Sequence, residues 1–195
     1  MVAFAQQKTY HSTCGDTQTD IIWKETKSNG KICLHTEQGT EKQYYVTDKL
    51  YRTQIWKAIS PAENTDLTIA YNKGMYELSG MFHGKRISKR VKSKGYAWYQ
   101  NIAFNAGVSL RSRSSIKYEC FRPDNLKLYT MTAELQGKET VGNKATNKVK
   151  VCLTGILSAF WSCTYFFDTQ TGSFIMYKGV NGAPGTPETI ITLKQ

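Results

Sequence analysis

The sequence predicts an all-β protein: an antiparallel up-and-down meander forming a barrel or half-barrel, with one short helix near residues 96–106. Three observations support this fold class. Short runs of β-branched and aromatic residues recur at intervals of about eight to twelve residues, separated by turn signals. The composition agrees, because 12 Tyr, 8 Phe and 4 Trp stand beside 15 Gly and only 4 Pro. A hairpin near the end of the chain indicates how the sheet is covered.

The segment 158–179 is typical of a β-hairpin, since two apolar arms flank a short polar loop that ends in Gly. Side chains alternate across a strand, so Trp161 and Tyr165 point to one face of the first arm, and Phe160 and Phe166 to the other. Large apolar groups on both faces indicate that neither face is left to water. One face should meet the core, and the other a helix, a second sheet or a ligand cavity.

The remaining strands follow the same rhythm on both sides of the predicted helix. Strands are predicted at residues 9–14, 20–26, 31–38, 42–47, 50–59, 67–71, 75–82, 86–93, 116–121, 127–135, 146–154 and 189–193. The segments 137–143 and 180–187 are polar and are predicted to be loops. Because the connections are short, sequential strands should pair as a meander.

The helix is predicted where strand alternation stops. Trp98, Ile102 and Ala106 recur at a spacing of four residues and form one apolar face, and Gly107 would end the helix. A helix at this place should cover one face of the sheet.

The first residues indicate export. Ala3 and Ala5 form an Ala-x-Ala sequence followed by a polar stretch, which is typical of the end of a secretory signal. We therefore expect residues 1–7 to be a signal-peptide remnant or a disordered start, and residues 8–195 to form a single domain. No apolar run approaches the roughly 18 residues of a membrane-spanning helix.

The five cysteines give no zinc or redox motif, because none of them forms a C-x-x-C pair. Cys33, Cys152 and Cys163 are interpreted as small apolar residues within strands. Cys14 and Cys120 could form a disulfide in an exported protein, but the sequence leaves the pairing of all five open.

The chain has a net charge of +11, and one segment is especially rich in basic residues. On a strand Arg86, Arg90, Lys92 and Lys94 share one face, and they are the candidate anion-binding residues. The simpler interpretation is a solvated face that protects an edge strand from pairing with another chain. Nucleic acid is a disfavoured partner, because that face carries no aromatic side chain on which a base could stack.

An aromatic set is the candidate for binding an apolar ligand. Its members are Trp98, Phe104, Trp161, Tyr165, Phe174 and Met176. These residues either form the core alone or line a cavity of the kind that small barrels use to hold a ligand.

No catalytic centre, metal site or cofactor is predicted. His11, His35 and His83 lie in no H-E-x-x-H motif, and the chain has no G-x-S-x-G or phosphate-binding glycine loop. The partners of a catalytic triad can be distant in sequence, so a hydrolase stays open as a weaker alternative.

The layout resembles exported bacterial proteins of unknown function with a strongly curved antiparallel sheet, similar to lipoprotein-carrier half-barrels. The resemblance is carried by the Ala-x-Ala-Gln start, the meander up to Gly95, the interruption around Trp98 and the closing run from Lys148 to Gly179. It implies a periplasmic or envelope location and an apolar ligand, and it supplies no catalytic residues. No lipid-attachment cysteine directly follows Ala5, which departs from a lipoprotein.

The sequence thus leads to two main hypotheses. The first is an exported, non-enzymatic protein that binds an apolar or amphipathic ligand in a sheet-lined cavity. The alternative is an envelope interaction module without a cavity, whose basic strand meets an anionic partner.

Overall fold

A computed structural model describes residues 4–155, 161–180 and 186–194, and 68% of the chain is in strands. The first eight strands are β1 (Phe4–Cys14), β2 (Thr17–Ser28), β3 (Lys31–Gln38), β4 (Glu41–Thr47), β5 (Thr53–Ser60), β6 (Thr65–Asn72), β7 (Met75–Phe82) and β8 (Lys85–Lys92). They are followed by β9 (Ala97–Trp98), the helix α1 (Ile102–Leu110), β10 (Ser115–Phe121), β11 (Leu128–Val141), β12 (Lys144–Leu153), β13 (Ser162–Asp168), β14 (Phe174–Val180) and β15 (Glu188–Leu193).

All the described strands form one curved sheet in the order β8-β7-β6-β5-β4-β3-β2-β1-β15-β14-β13-β12-β11-β10-β9. Every pair is antiparallel except β9 with β10. The first strand pairs with the last, from Tyr10 opposite Leu193 to Cys14 opposite Thr189. The end strands β8 and β9 do not pair, so the sheet is not closed. The predicted all-β half-barrel meander is confirmed.

The predicted helix is confirmed, but it begins and ends later than the sequence pattern indicated. Asn101 caps its first turn, because its side-chain oxygen accepts a hydrogen bond from the Phe104 amide at 3.2 Å. The preceding Trp98 lies instead in β9, beside β10. Gly107 does not end the helix, which continues to Leu110.

The role of Gly107 is close packing. A Cβ added there would lie only 1.9 Å from the carbonyl oxygen of Gly172, in the turn between β13 and β14. Gly172 itself has a φ of +72°, in the left-handed region that favours glycine. The helix backbone therefore rests directly on this turn.

Two other boundaries differ from the prediction. Strand β11 runs to Val141 through the segment predicted as a loop, because residues 138–141 pair with the start of β12. Residues 4–7 belong to β1 and pair with β2, and their assignment to a signal remnant remains a prediction. Residues 158–160 of the predicted hairpin and 181–185 of the last predicted loop lie outside the described residues.

The inner face of the sheet, which carries α1, contains two apolar clusters. The first includes Tyr10 of β1 together with side chains of β10 to β14, and the second includes side chains of β3 to β7, β9 and β10. Ile102, Ala106 and Leu110 of α1 belong to the first cluster, whereas Phe104 belongs to the second. The helix thus lies between the two clusters and fills part of the space that the curved sheet encloses.

Candidate ligand-binding clefts

Four aromatic rings form a wall across the space between the sheet and α1. The Trp23 ring stacks on Phe174 with centroids 5.7 Å apart and meets Phe104 edge-on at 6.3 Å. Tyr10 packs against both Trp23, at 4.7 Å, and Phe174, at 5.1 Å. These distances are typical of packed aromatic pairs, so the wall is a built feature of the interior. We call these four residues the aromatic wall.

On one side of the aromatic wall lies a cleft of about 60 Å³, which we call the β1 cleft. It is bordered by β1, β2, β3, the loop after β4, α1 and the turn between β13 and β14. Its lining residues are Gln6, Lys8, Tyr10, Trp23, Glu25, Leu34, Tyr51, Ala103, Phe104, Val108, Thr171, Gly172, Ser173 and Phe174.

On the other side lies a larger cleft of about 220 Å³, which we call the β4 cleft. Its lining residues are Ile21, Trp23, Thr36, Gln38, Gln43, Tyr45, Asn101, Ala103, Tyr165, Phe174, Tyr177 and Ile191. Trp23, Ala103 and Phe174 border both clefts. Neither cleft is fully enclosed.

The β4 cleft combines an apolar floor with fixed polar groups. The Gln43 side-chain oxygen accepts hydrogen bonds from the Tyr45 hydroxyl and, at 3.2 Å, from Trp56 Nε1. Burial raises the pKa of Tyr165 well above its ordinary value, so its hydroxyl stays protonated and neutral at physiological pH. Such a lining offers hydrogen-bond donors and acceptors without a charge, and suits the neutral part of an amphipathic molecule.

The β1 cleft, by contrast, carries charge on the inner face of the sheet. Lys8 lies directly opposite Trp23 in the β1–β2 register, and Gln6 lies opposite Glu25. The Glu25 carboxylate pairs with Lys27 at 3.1 Å. Lys27 also lies over the Tyr51 ring, with its Nζ 5.8 Å from the centroid. The cleft lining therefore joins aromatic surface to one ammonium group, Lys8, and one carboxylate, Glu25, and Lys27 lies next to it as the partner of Glu25.

The structure brings three of the six predicted ligand-binding residues to the clefts. Phe104 lines the β1 cleft, Tyr165 the β4 cleft, and Phe174 both. The role of these residues in binding remains a prediction.

The other three lie elsewhere. Trp98 is 3% exposed and packs edge-on against Tyr76, with ring centroids 5.2 Å apart. Trp161 donates its Nε1 hydrogen to the carbonyl of Val180 at 2.9 Å and packs at the border of the first cluster. Met176 lies opposite Phe166 on β13, on the strand face turned away from Tyr165.

Sequence reasoning missed Trp23, Tyr10 and Lys8. In β2, Trp23 lies two residues after Ile21, so both share one strand face, and this signal was available in the sequence. The sequence did not show which distant strands and turns pack against that face. The β13–β14 turn reaches Trp23 only because β1 pairs with β15.

The predicted anion-binding residues lie at one edge of the sheet. Arg86, Arg90 and Lys92 are exposed on β8, which pairs with β7 alone. Arg90 forms an ion pair with Glu77 at 3.1 Å. Lys94 follows the strand, and its side chain is exposed. The set forms an edge row of positive charge, and its role as an anion site also remains a prediction.

A fully buried carboxylate links the two ends of the open sheet. Glu119 of β10 accepts hydrogen bonds from the Tyr76 hydroxyl of β7 at 2.5 Å, from Ser93 at 3.0 Å, and from the amides of Lys94 at 2.6 Å and Tyr96 at 3.2 Å. Burial, followed by the bond to Glu119, raises the pKa of Tyr76. With four donors occupying its oxygens, Glu119 fixes the region where the sheet ends approach each other.

The five cysteines form no disulfide. All five thiols are free, so Cys14 and Cys120 are not bridged, and Cys14 instead lies 3.7 Å from the carbonyl of Pro187. Among the described residues no three His, Cys, Asp or Glu side chains are grouped to hold a metal ion. In the same part of the chain, no helix has the length and hydropathy needed to cross a membrane.

No family model matches the chain, and no curated protein sequence does either. A similar solved structure is a β-barrel-like protein of the Domain of Unknown Function DUF1849 from Brucella abortus. The two share 8% sequence identity over 97% of this chain and 95% of that chain, with a TM-score of 0.63. The predicted resemblance to bacterial proteins of unknown function with a curved sheet is thus confirmed at the level of the fold.

Two further structures match over most of the chain but with lower scores. The hypothetical lipoprotein YmcC from Escherichia coli covers 96% of this chain, and 83% of that chain is covered, at 13% identity and a TM-score of 0.39. A LolA superfamily protein from Nitrosomonas europaea covers 99% of this chain, with 84% of that chain covered, at 6% identity and a TM-score of 0.32. At these scores the likeness supports no conclusion about function.

Proposed function

We propose that this protein is exported to the periplasm or beyond and there binds an apolar or amphipathic, lipid-like molecule, without catalysing a reaction. The observation that carries the proposal is the pair of clefts on the inner face, which meet at the aromatic wall. A core built only for stability would close this space, because unfilled volume next to large side chains reduces stability.

The volumes of the two clefts limit the size of the ligand that they can hold. The β4 cleft, at about 220 Å³, exceeds an engineered cavity of about 150 Å³ that binds benzene. It is smaller than the roughly 300–1,000 Å³ of pockets that enclose a drug-sized ligand. A short alkyl chain therefore fits as the structure stands, and a longer chain needs the space on both sides of the wall.

The wall can open by side-chain movement. The rings of Trp23 and Phe174 border both clefts, and each can adopt other side-chain rotamers beside the open space. Rotation of these rings would join the clefts into one passage lined by aromatic surface.

Native mass spectrometry of protein purified without detergent tests the proposal directly, because a bound lipid adds a defined mass. The delipidated protein is then titrated with decanol, and its tryptophan fluorescence is followed. We expect saturable binding and a fluorescence change that Trp23→Phe largely removes. Trp98→Phe is the matched control, since Trp98 borders neither cleft. If decanol binds nowhere and no lipid co-purifies, the proposed function is wrong.

A second candidate function is contact with an anionic envelope component through the row on β8. The observation that favours it is the exposure of Arg86, Arg90 and Lys92 on a strand whose outer edge has no partner strand. We expect salt-sensitive retention on heparin, weakened in Arg86→Glu/Arg90→Glu, because such contacts are screened by salt. Retention that is unchanged in this double variant would exclude the row as the contact.

A further inference from the structure

A lysine stands at the polar end of the aromatic wall. Lys8 lies on the inner face of β1, opposite Trp23, and lines the β1 cleft. Gln6 and Glu25 lie beside it in the same cleft. The Lys8 ammonium group therefore lies in the same cleft as the Trp23 ring, against which an apolar chain would lie. A lysine on the outer face of the sheet would not be near that ring.

Lys8 has no close ion-pair partner among the described residues. The nearest inner-face carboxylate, Glu25, forms its ion pair with Lys27, and among the ion pairs of the described residues Lys8 has none within 4 Å. Burial lowers the pKa of Lys8, and Glu25 only partly opposes this effect. Lys27 of β2 and Lys144 of β12 add to the positive potential, while Asp168 of β13 reduces it. A half-buried ammonium group without a partner is costly, and a bound anion would remove that cost.

We infer that the ligand is an amphiphile with an anionic oxygen head group, such as a carboxylate, and that Lys8 binds this head group in the β1 cleft. This inference rests on the proposed function. The β1 cleft, at about 60 Å³, is the smaller of the two clefts and suits a compact group such as a carboxylate rather than an alkyl chain. The chain would pass along Trp23 and Phe174 toward the larger β4 cleft.

Paired probes separate the head group from the chain. The intact protein is titrated with decanoate and with decanol, which have the same chain length but differ in charge. We expect decanoate to bind about tenfold more tightly, which corresponds to about 1.4 kcal/mol. Lys8→Met should weaken decanoate binding about tenfold and leave decanol binding unchanged, whereas Lys8→Arg should retain the preference. Lys117→Met, an equal charge change at an exposed position of β10, should alter neither affinity.

The outcomes distinguish the two proposals. If decanol and decanoate bind equally and Lys8→Met changes neither, the head-group inference is overturned while the proposed function stands. If neither probe binds, the proposed function fails. A loss of decanol as well as decanoate binding in Lys8→Met would also contradict the inference, because it would assign Lys8 to the shape of the cleft.

Thermal stability gives a readout that does not depend on binding. Because the pKa of Lys8 is lowered on folding, the charged amine costs stability below that pKa, and this cost disappears as the pH rises through the ordinary lysine value. Lys8→Met should therefore raise the Tm of the ligand-free protein at pH 7, and the gain should shrink toward pH 10.5. A Tm that falls at pH 7 would show that Lys8 is already satisfied within the fold.

Discussion

Trp98 and Trp23 show that one sheet can place two tryptophans in very different surroundings. Trp98 packs against Tyr76 and Phe121 where the sheet ends approach each other, and Glu119 fixes that region. Trp23 stacks on Phe174 but borders a cleft on each side. The region around Trp98 is closed, and the region around Trp23 is open. Aromatic content alone therefore does not decide whether a residue belongs to a core or to a cavity.

Truncating the two tryptophans should give the largest difference between the regions. We expect Trp98→Ala to lower the free energy of unfolding by about 4 kcal/mol, as for a fully enclosed aromatic residue, and Trp23→Ala by about 2 kcal/mol. The smaller cost follows because space already exists beside Trp23. Urea denaturation measures both, with Tyr96→Ala, 41% exposed, as a control expected within about 0.5 kcal/mol of the wild type. Equal costs for both tryptophans would mean that the open region is packed as tightly as the closed one.

The second prediction concerns what closes the region around Trp98. Glu119→Gln keeps the volume of the side chain but replaces one acceptor oxygen by an NH₂ group, which then faces a donor. We expect a loss of about 3 kcal/mol, because hydrogen bonds to a charged acceptor contribute about 1.5–3 kcal/mol each. Decanol binding at the clefts should be retained.

The comparison for this substitution is Glu77→Gln, which removes the half-exposed carboxylate paired with Arg90. Surface pairs of this kind contribute about 0–1 kcal/mol, so the two variants should differ clearly in urea midpoint. Similar midpoints would show that the Glu119 bonds are not what holds the sheet ends together.

A third prediction tests how α1 is held against the open region. Gly107→Ala places a methyl group on the Gly172 carbonyl, so the helix or the turn must shift. Overpacking of this kind costs about 1–3 kcal/mol. Because Phe174 follows this turn by two residues, we also expect decanol affinity to change. Arg111→Ala, at an exposed position directly after α1 that borders neither cleft, serves as the control in thermal denaturation and should leave both measurements nearly unchanged.

The smallest effect is expected at the turn between β13 and β14. Burial alone would raise the pKa of Asp168, but hydrogen bonds from Thr171 and Gln170 outweigh it and lower the pKa. The carboxylate therefore contributes stability above its ordinary pKa of 3.8, and this contribution is lost as the pH falls through the lowered value. At pH 7 the urea midpoint of Asp168→Asn should be slightly lower than that of the wild type. Below pH 4 the midpoint of the variant should depend less on pH than that of the wild type. An unchanged acid dependence would rule out Asp168 as its source.

Local patterns allowed most of the strands to be predicted, because alternation and turn residues act over a few positions. The strands β3 and β7 were predicted with the bounds that the structure shows. The helix was predicted too early in the chain because the segment around Trp98 has helical spacing. In the structure, hydrogen bonds from the amides of Tyr96 and Tyr99 to Glu119 hold that segment beside β10. Gly107 was misread because a glycine that ends a helix and one that allows close packing look alike in sequence.

By itself the sequence determined the curved antiparallel sheet, its covering helix and the presence of large aromatic side chains on both faces of some strands. Only the tertiary structure decided which of these rings enclose space. The reason is that alternation tells which face a side chain occupies, whereas its neighbour across the interior depends on contacts between residues such as Trp23 and Phe174. Those contacts follow from the pairing of the first strand with the last, which no local pattern records.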